Sequence, residues 1–156
     1  MAMLTALALG IFVLEAQIPA PVPIPGVKLG LANIITLAAM LLLGKKEAGA
    51  ILLMRIIMGS MFAGSPASFI YSIAGGVLAY IAMCICVGLI PEKYLWLTSA
   101  AAALCHNAGQ LGACALIVKT PQIFVYAPIL AVSGIITGVF TGIAAKYLVR
   151  ALRKIK

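Results

Sequence analysis

Apolar residues fill this chain in six blocks, broken by charged residues and by proline and glycine. They fall at approximately 2–18, 29–43, 48–63, 67–90, 95–118 and 123–146. Blocks this long and this apolar predict membrane-crossing helices, since a helix needs about 20 such residues to cross the hydrocarbon core. The second and third blocks are shorter and are expected to borrow flanking residues or sit where the bilayer thins. The break between 48–63 and 67–90 is the least sharply marked.

Composition turns this pattern into a fold class. Of 156 residues, 65% are hydrophobic and only 9% charged, with a mean hydropathy of +1.22. A soluble domain of this size cannot bury so much apolar surface, so lipid must be the solvent. The expectation is an all-α integral membrane protein with six transmembrane helices in a single domain, without internal repeats. MAMLTALALG has no basic segment before its apolar run, so it is read as a retained span rather than a cleaved signal peptide.

The net charge of +8 does not imply nucleic acid. The basic residues sit at the ends of apolar blocks and in the tail KYLVRALRKIK, the pattern of anchoring beside anionic headgroups. With six spans, Lys45, Lys46, Lys93, Lys146, Arg150, Arg153, Lys154 and Lys156 gather on one side, leaving Lys28 and Lys119 on the other. The positive-inside rule then places both termini in the cytoplasm.

The costly residues lie deep. His106 and Asn107 fall at the midpoint of the fifth block and Arg55 at the midpoint of the third, so two separate segments carry polar groups at one depth. An arginine at a helix centre costs about 2.5–3.5 kcal/mol to insert. His106 and Gln110 share a helix face, with Asn107 on its shoulder. Glu15, Gln17, Asn33, Tyr71 and Ser72 fall in the outer halves of their blocks. Together they predict a pocket open to the exterior or closed by a lid. The alternative is interhelical hydrogen bonding, with Arg55 paired to Glu15.

Over that pocket would lie IPAPVPIPGVK, whose Pro19, Pro21, Pro23 and Pro25 forbid helix and leave either a stiff connector or a lid. Small residues mark close helix contacts. Ala2, Ala6 and Gly10 form one stripe, and Gly134, Gly138 and Gly142 another, flanked by Ser133, Thr137 and Thr141. Each can pack within the chain or against a partner membrane protein.

Several chemistries lack their residues. The chain has no aspartate and only three glutamates, so it has no carboxylate cluster to hold Mg²⁺ against a diphosphate. It has no phosphate-binding G-x-x-x-x-G-K-[ST] loop, and no serine or cysteine with a base at obvious spacing. Cys84, Cys86, Cys105 and Cys114 lie in apolar blocks and suggest neither a disulfide nor a metal site. No cofactor is expected, and any enzymatic role would need another subunit.

GVKLGLANI at 26–34, RIIMGS around Arg55, SIAGG at 72–76, HNAGQ at 106–110 and SGIITGVFTG at 133–142 resemble the Gx transporter family. Its members are commonly labelled heptaprenyl diphosphate synthase component I. That family is in turn similar to the S components of energy-coupling-factor (ECF) transporters, which capture vitamins and other micronutrients in bacterial cell membranes. The resemblance implies an S-component-like six-helix bundle and a small-molecule pocket in its outer half. Arg55, His106, Asn107, Gln110, Asn33, Lys28, Glu15, Gln17, Tyr71 and Ser72 are its candidate ligands, and Ile18 to Lys28 the lid. It also implies that Ala2, Ala6 and Gly10 dock a transmembrane coupling subunit driven by two ATPases. The runner-up function is a non-catalytic membrane component of heptaprenyl diphosphate synthesis.

Overall fold

The structure is a computed structural model, and it describes residues 1–15, 17, 30–63 and 66–154. Among these residues, six α-helices follow one another: α1 (Ala2–Glu15), α2 (Asn33–Leu42), α3 (Lys45–Ala63), α4 (Pro66–Leu89), α5 (Leu95–Val118) and α6 (Ala127–Arg153). Short 3-10 turns at Glu92–Tyr94 and Pro121–Tyr126 lead into the last two. The proline-rich loop and Lys28 lie outside the described residues.

Each of the six blocks yields a helix, but the boundaries move for local reasons. Gly30, at φ +78°, opens the turn before α2, so that helix begins four residues later than its apolar block. Gly44, at φ +118°, closes it, and the amides of Leu43 and Gly44 both return to the Ala39 carbonyl. The third block gains Lys45–Glu47 as a first turn. Pro66 sits at the first position of α4, where its missing N–H costs nothing. The 3-10 turn delays α6, which then continues through the basic tail to Arg153.

Length divides the helices. Among the described residues, Pro66–Leu89, Glu92–Val118 and Gln122–Arg153 are long and apolar enough to cross a membrane. At 10 residues, α2 extends only about 15 Å, half of a hydrocarbon core about 30 Å thick. Isoleucine, valine and phenylalanine crowd the outer face of α6, with Ile136 65% and Phe140 63% exposed. A surface like that fits a lipid environment and would aggregate in water.

α5 lies between α4 and α6, α6 also packs on α2, and α2 and α4 both pack on α3, which closes a ring; α1 leans on α3 and α2. Glycine makes the α4–α5–α6 side tight. A Cβ on Gly138 would come within 2.5 Å of the Ala100 Cα, and one on Gly142 within 2.5 Å of the Trp96 Cα. The α6 stripe is therefore an internal contact between backbones. A 2.7 Å hydrogen bond between the Ser99 and Thr141 hydroxyls crosses the same seam. On the opposite side of the ring contact runs through side chains, as where Phe12 fills the space over Gly59.

One end of the bundle collects the basic residues. Lys45 Nζ donates to the Cys84 carbonyl at 2.9 Å, Lys146 Nζ to the Lys93 carbonyl at 3.2 Å, and Arg153 pairs through both terminal nitrogens with Glu92. These exposed contacts add little stability. They do bring the start of α3, the end of α4, the start of α5 and the end of α6 to a common end.

Candidate functional site

Two apolar clusters occupy different heights of the bundle. Ala48, Ile51, Ala79, Met83, Leu95 and Ala102 belong to the larger one, near the basic end. Tyr71, Leu111, Ala113, Cys114 and Leu130 form the smaller one. Between them, at intermediate positions along α3, α4 and α5, lie Arg55, Ser72, His106 and Gln110. His106 stands about 17 Å along a helix of about 36 Å.

These four residues, with Phe12, Glu15 and Gly30, line an enclosed cavity of about 10 Å³. That holds about one water. All the polar members are buried: Arg55 is 3% exposed, Glu15 4% and Gln110 1%. Room for the larger side chains comes from glycine. A Cβ on Gly75 would strike Gln110 and the His106 backbone, and one on Gly109 would strike the Ala74 carbonyl.

Glu15 ends α1 and reaches the start of α2. The Gly30 amide donates to its Oε1, and the amides of Leu31 and Ala32 also face the carboxylate. The first turn of α2 bonds Asn33 N to Gly30 O, Ile34 N to Leu31 O and Ile35 N to Ala32 O. The donors at residues 30–32 thus have no partner within the helix, and Glu15 caps them. The expected Glu15–Arg55 pairing takes a looser form. The two attract each other, but among the described residues the one contact ion pair is Arg153–Glu92. The Arg55 guanidinium instead stands 5.9 Å from the Phe12 ring centroid, and its Nε has no hydrogen-bond partner.

The remaining candidates separate. Asn33 lies beside the cavity, its amide nitrogen 3.1 Å from where a Gly30 Cβ would be. Asn107 points the other way and donates at 2.8 Å to the Leu130 carbonyl, joining α5 to α6. Tyr71 packs in the smaller apolar cluster, and Gln17 is exposed. Phe12 and Gly30 were not among the sequence candidates. Phe12 shares the Glu15 face of α1 at a spacing of three, a signal that an apolar block conceals.

Ala2, Ala6 and Gly10 are all exposed, and no atom lies within 4 Å of a Cβ built on Gly10. The buried face of α1 is the opposite one: Leu4, Ala8, Phe12 and Glu15. Unlike the α6 stripe, this one has no partner among the described residues.

A fold that is all helical among the described residues, helices apolar enough to cross a bilayer and a polar layer between apolar clusters fit a membrane protein with a buried polar site. The chain belongs to the heptaprenyl diphosphate synthase component I family, whose model matches residues 4–148. The family name implies a partner component. No curated protein and no solved structure matches the chain.

Proposed function

We propose that this protein is the membrane-embedded substrate-binding subunit of an ECF-type transporter, with six transmembrane helices arranged as in an S component. It captures a small vitamin-like, anionic or prenyl-related molecule from outside a bacterial cell. The observation that carries this reading is Arg55, a permanent charge enclosed at mid-helix among Glu15, Ser72, His106 and Gln110. A charge that costly to bury fits a ligand-binding role. Sites for such ligands occupy about 300–1,000 Å³, so substrate entry has to part the elements around this cavity. Native mass spectrometry of the gently solubilised protein tests the proposal. A co-purified small molecule supports it, and reproducibly empty protein from substrate-replete cells counts against it.

Two expected results concern the assembly. A reporter that fluoresces only in the cytoplasm, fused after Lys156, should be bright, because eight of the ten basic residues outside Arg55 lie on the side of the termini. Ala6→Leu should abolish co-purification with a transmembrane coupling subunit while leaving folding intact, since the side chain points away from the bundle. Unchanged co-purification would place the docking surface elsewhere.

The family name favours a second reading, a non-catalytic membrane component of heptaprenyl diphosphate synthesis. Under either reading the purified chain, given short prenyl diphosphates and Mg²⁺, should release no diphosphate, because three glutamates and no aspartate cannot build the metal cluster. If a catalytic partner then restores synthesis and His106→Ala stops it, the second reading prevails.

A further inference from the structure

Glu15 belongs at once to the cavity, to the end of α1 and to the start of α2. We propose that the first turn of α2, together with Arg55, is an oxyanion-binding site which the protein's own Glu15 fills at rest, and that a ligand's anionic group displaces this carboxylate and releases α1. The inference rests on the substrate-binding reading above and adds to it a ligand class and a means of signalling occupancy.

Two independent sets of donors converge here. The amides of Gly30, Leu31 and Ala32 have no acceptor within their helix, and Gly30 at φ +78° turns its N–H toward the carboxylate. Arg55 lines the same cavity, 3% exposed, its Nε without a partner. Glu15 satisfies the amides but does not reach ion-pair distance from the guanidinium. A carboxylate or phosphate group on a ligand is free of the α1 backbone and can engage both sets together. That difference lets it compete with a tethered carboxylate.

Displacement has a structural consequence. Glu15 is the polar tie between α1 and α2, and the rest of the buried face of α1 is apolar: Leu4, Ala8 and Phe12. Loss of the tie loosens the C-terminal end of the helix whose outer face carries Ala2, Ala6 and Gly10. A coupling subunit seated on that face would thereby sense an occupied site.

Sequence composition supplies the test. The chain has only three acidic side chains, Glu15, Glu47 and Glu92, so carboxyl-carbon NMR of glutamate-labelled protein in maltoside micelles is readily assigned, with Glu15→Gln identifying the Glu15 signal. Titration with inorganic phosphate should shift that signal to saturation and leave Glu47 and Glu92 unmoved. Glu15→Gln should bind phosphate about tenfold more tightly, followed through the Arg55 Nε signal, because the competitor has lost its charge. A parallel titration with phosphatidate in the micelles separates sources: a response to it alone assigns the oxyanion to a lipid headgroup. If the Arg55 signal responds while Glu15 stays fixed, or if Glu15→Gln binds more weakly, displacement is wrong and the substrate-binding reading stands. If neither signal responds to any oxyanion, the inference fails, and the substrate-binding reading is then decided by the mass spectrum.

Discussion

Replacing Arg55 with glutamine should weaken ligand binding by more than tenfold and leave the protein as stable as before, or more so. The first half follows from charge. A charge-assisted hydrogen bond is worth about 1.5–3 kcal/mol, and glutamine keeps the length of the side chain without the fixed positive charge. The second half follows from burial. Arg55 is 3% exposed, its Nε is unpartnered and, among the described residues, it has no contact ion pair. The carboxylate nearest to it in charge, Glu15, is held by the amides of α2. Removing the charge recovers the cost of burying it, which offsets the lost attraction to Glu15 and the lost contact with the Phe12 ring. Co-purified ligand measured by native mass spectrometry, together with thermal unfolding in detergent, reads both halves. Asn107→Ala provides the contrast: it breaks the bond to Leu130 between α5 and α6, so it should lower stability by about 1 kcal/mol and leave binding nearly unchanged. A large fall in stability in Arg55→Gln without loss of ligand would make the arginine a packing element and remove the basis for the site.

Gly138→Val should be the most damaging single substitution on the α5–α6 seam. The added Cβ meets the Ala100 Cα at 2.5 Å and the Ser99 carbonyl at 3.0 Å. Both are backbone atoms, which cannot turn aside as a side chain can. The helices must therefore separate, breaking the Ser99–Thr141 hydrogen bond and the neighbouring contact at Gly142. Overpacking typically costs about 1–3 kcal/mol, and with rigid backbone on both sides the upper end of that range or beyond is expected. The readout is monodisperse protein surviving heating in detergent. Gly112→Ala is the matched control on α5: nothing lies within 4 Å of its Cβ, so stability should hold or rise slightly as helix propensity improves. Equal behaviour of the two variants would dissolve the close α5–α6 packing.

Among the described residues, apolar blocks were enough to find the six α-helices, because a helix satisfies the backbone within an apolar run. The ends were less legible. Gly30 and Gly44 set the limits of α2 through positive φ, which an apolar count does not register. Block midpoints singled out Arg55 and His106, but the direction of each side chain was not legible from them. Asn107 follows His106 in sequence and faces another helix, a rotation that depends on how α6 docks. Likewise the two small-residue stripes read alike in sequence. Only the packing shows that Gly138 is pressed against a neighbour and Gly10, among the described residues, against nothing.

The division between long and short helices bears on how the protein is made. α1, at 14 residues, and α2, at 10, leave the ribosome before α3, which has Arg55 at its centre. Each is a poor independent passenger for the insertion machinery, by shortness or by charge. The strong passengers, α4, α5 and α6, come after them. The early half of the chain must therefore wait, unfinished, for the late half to give its arginine a protein surround. A ribosome stalled before residue 95 would leave α3 without the α5 wall of its polar site, and quality control would find its substrate there.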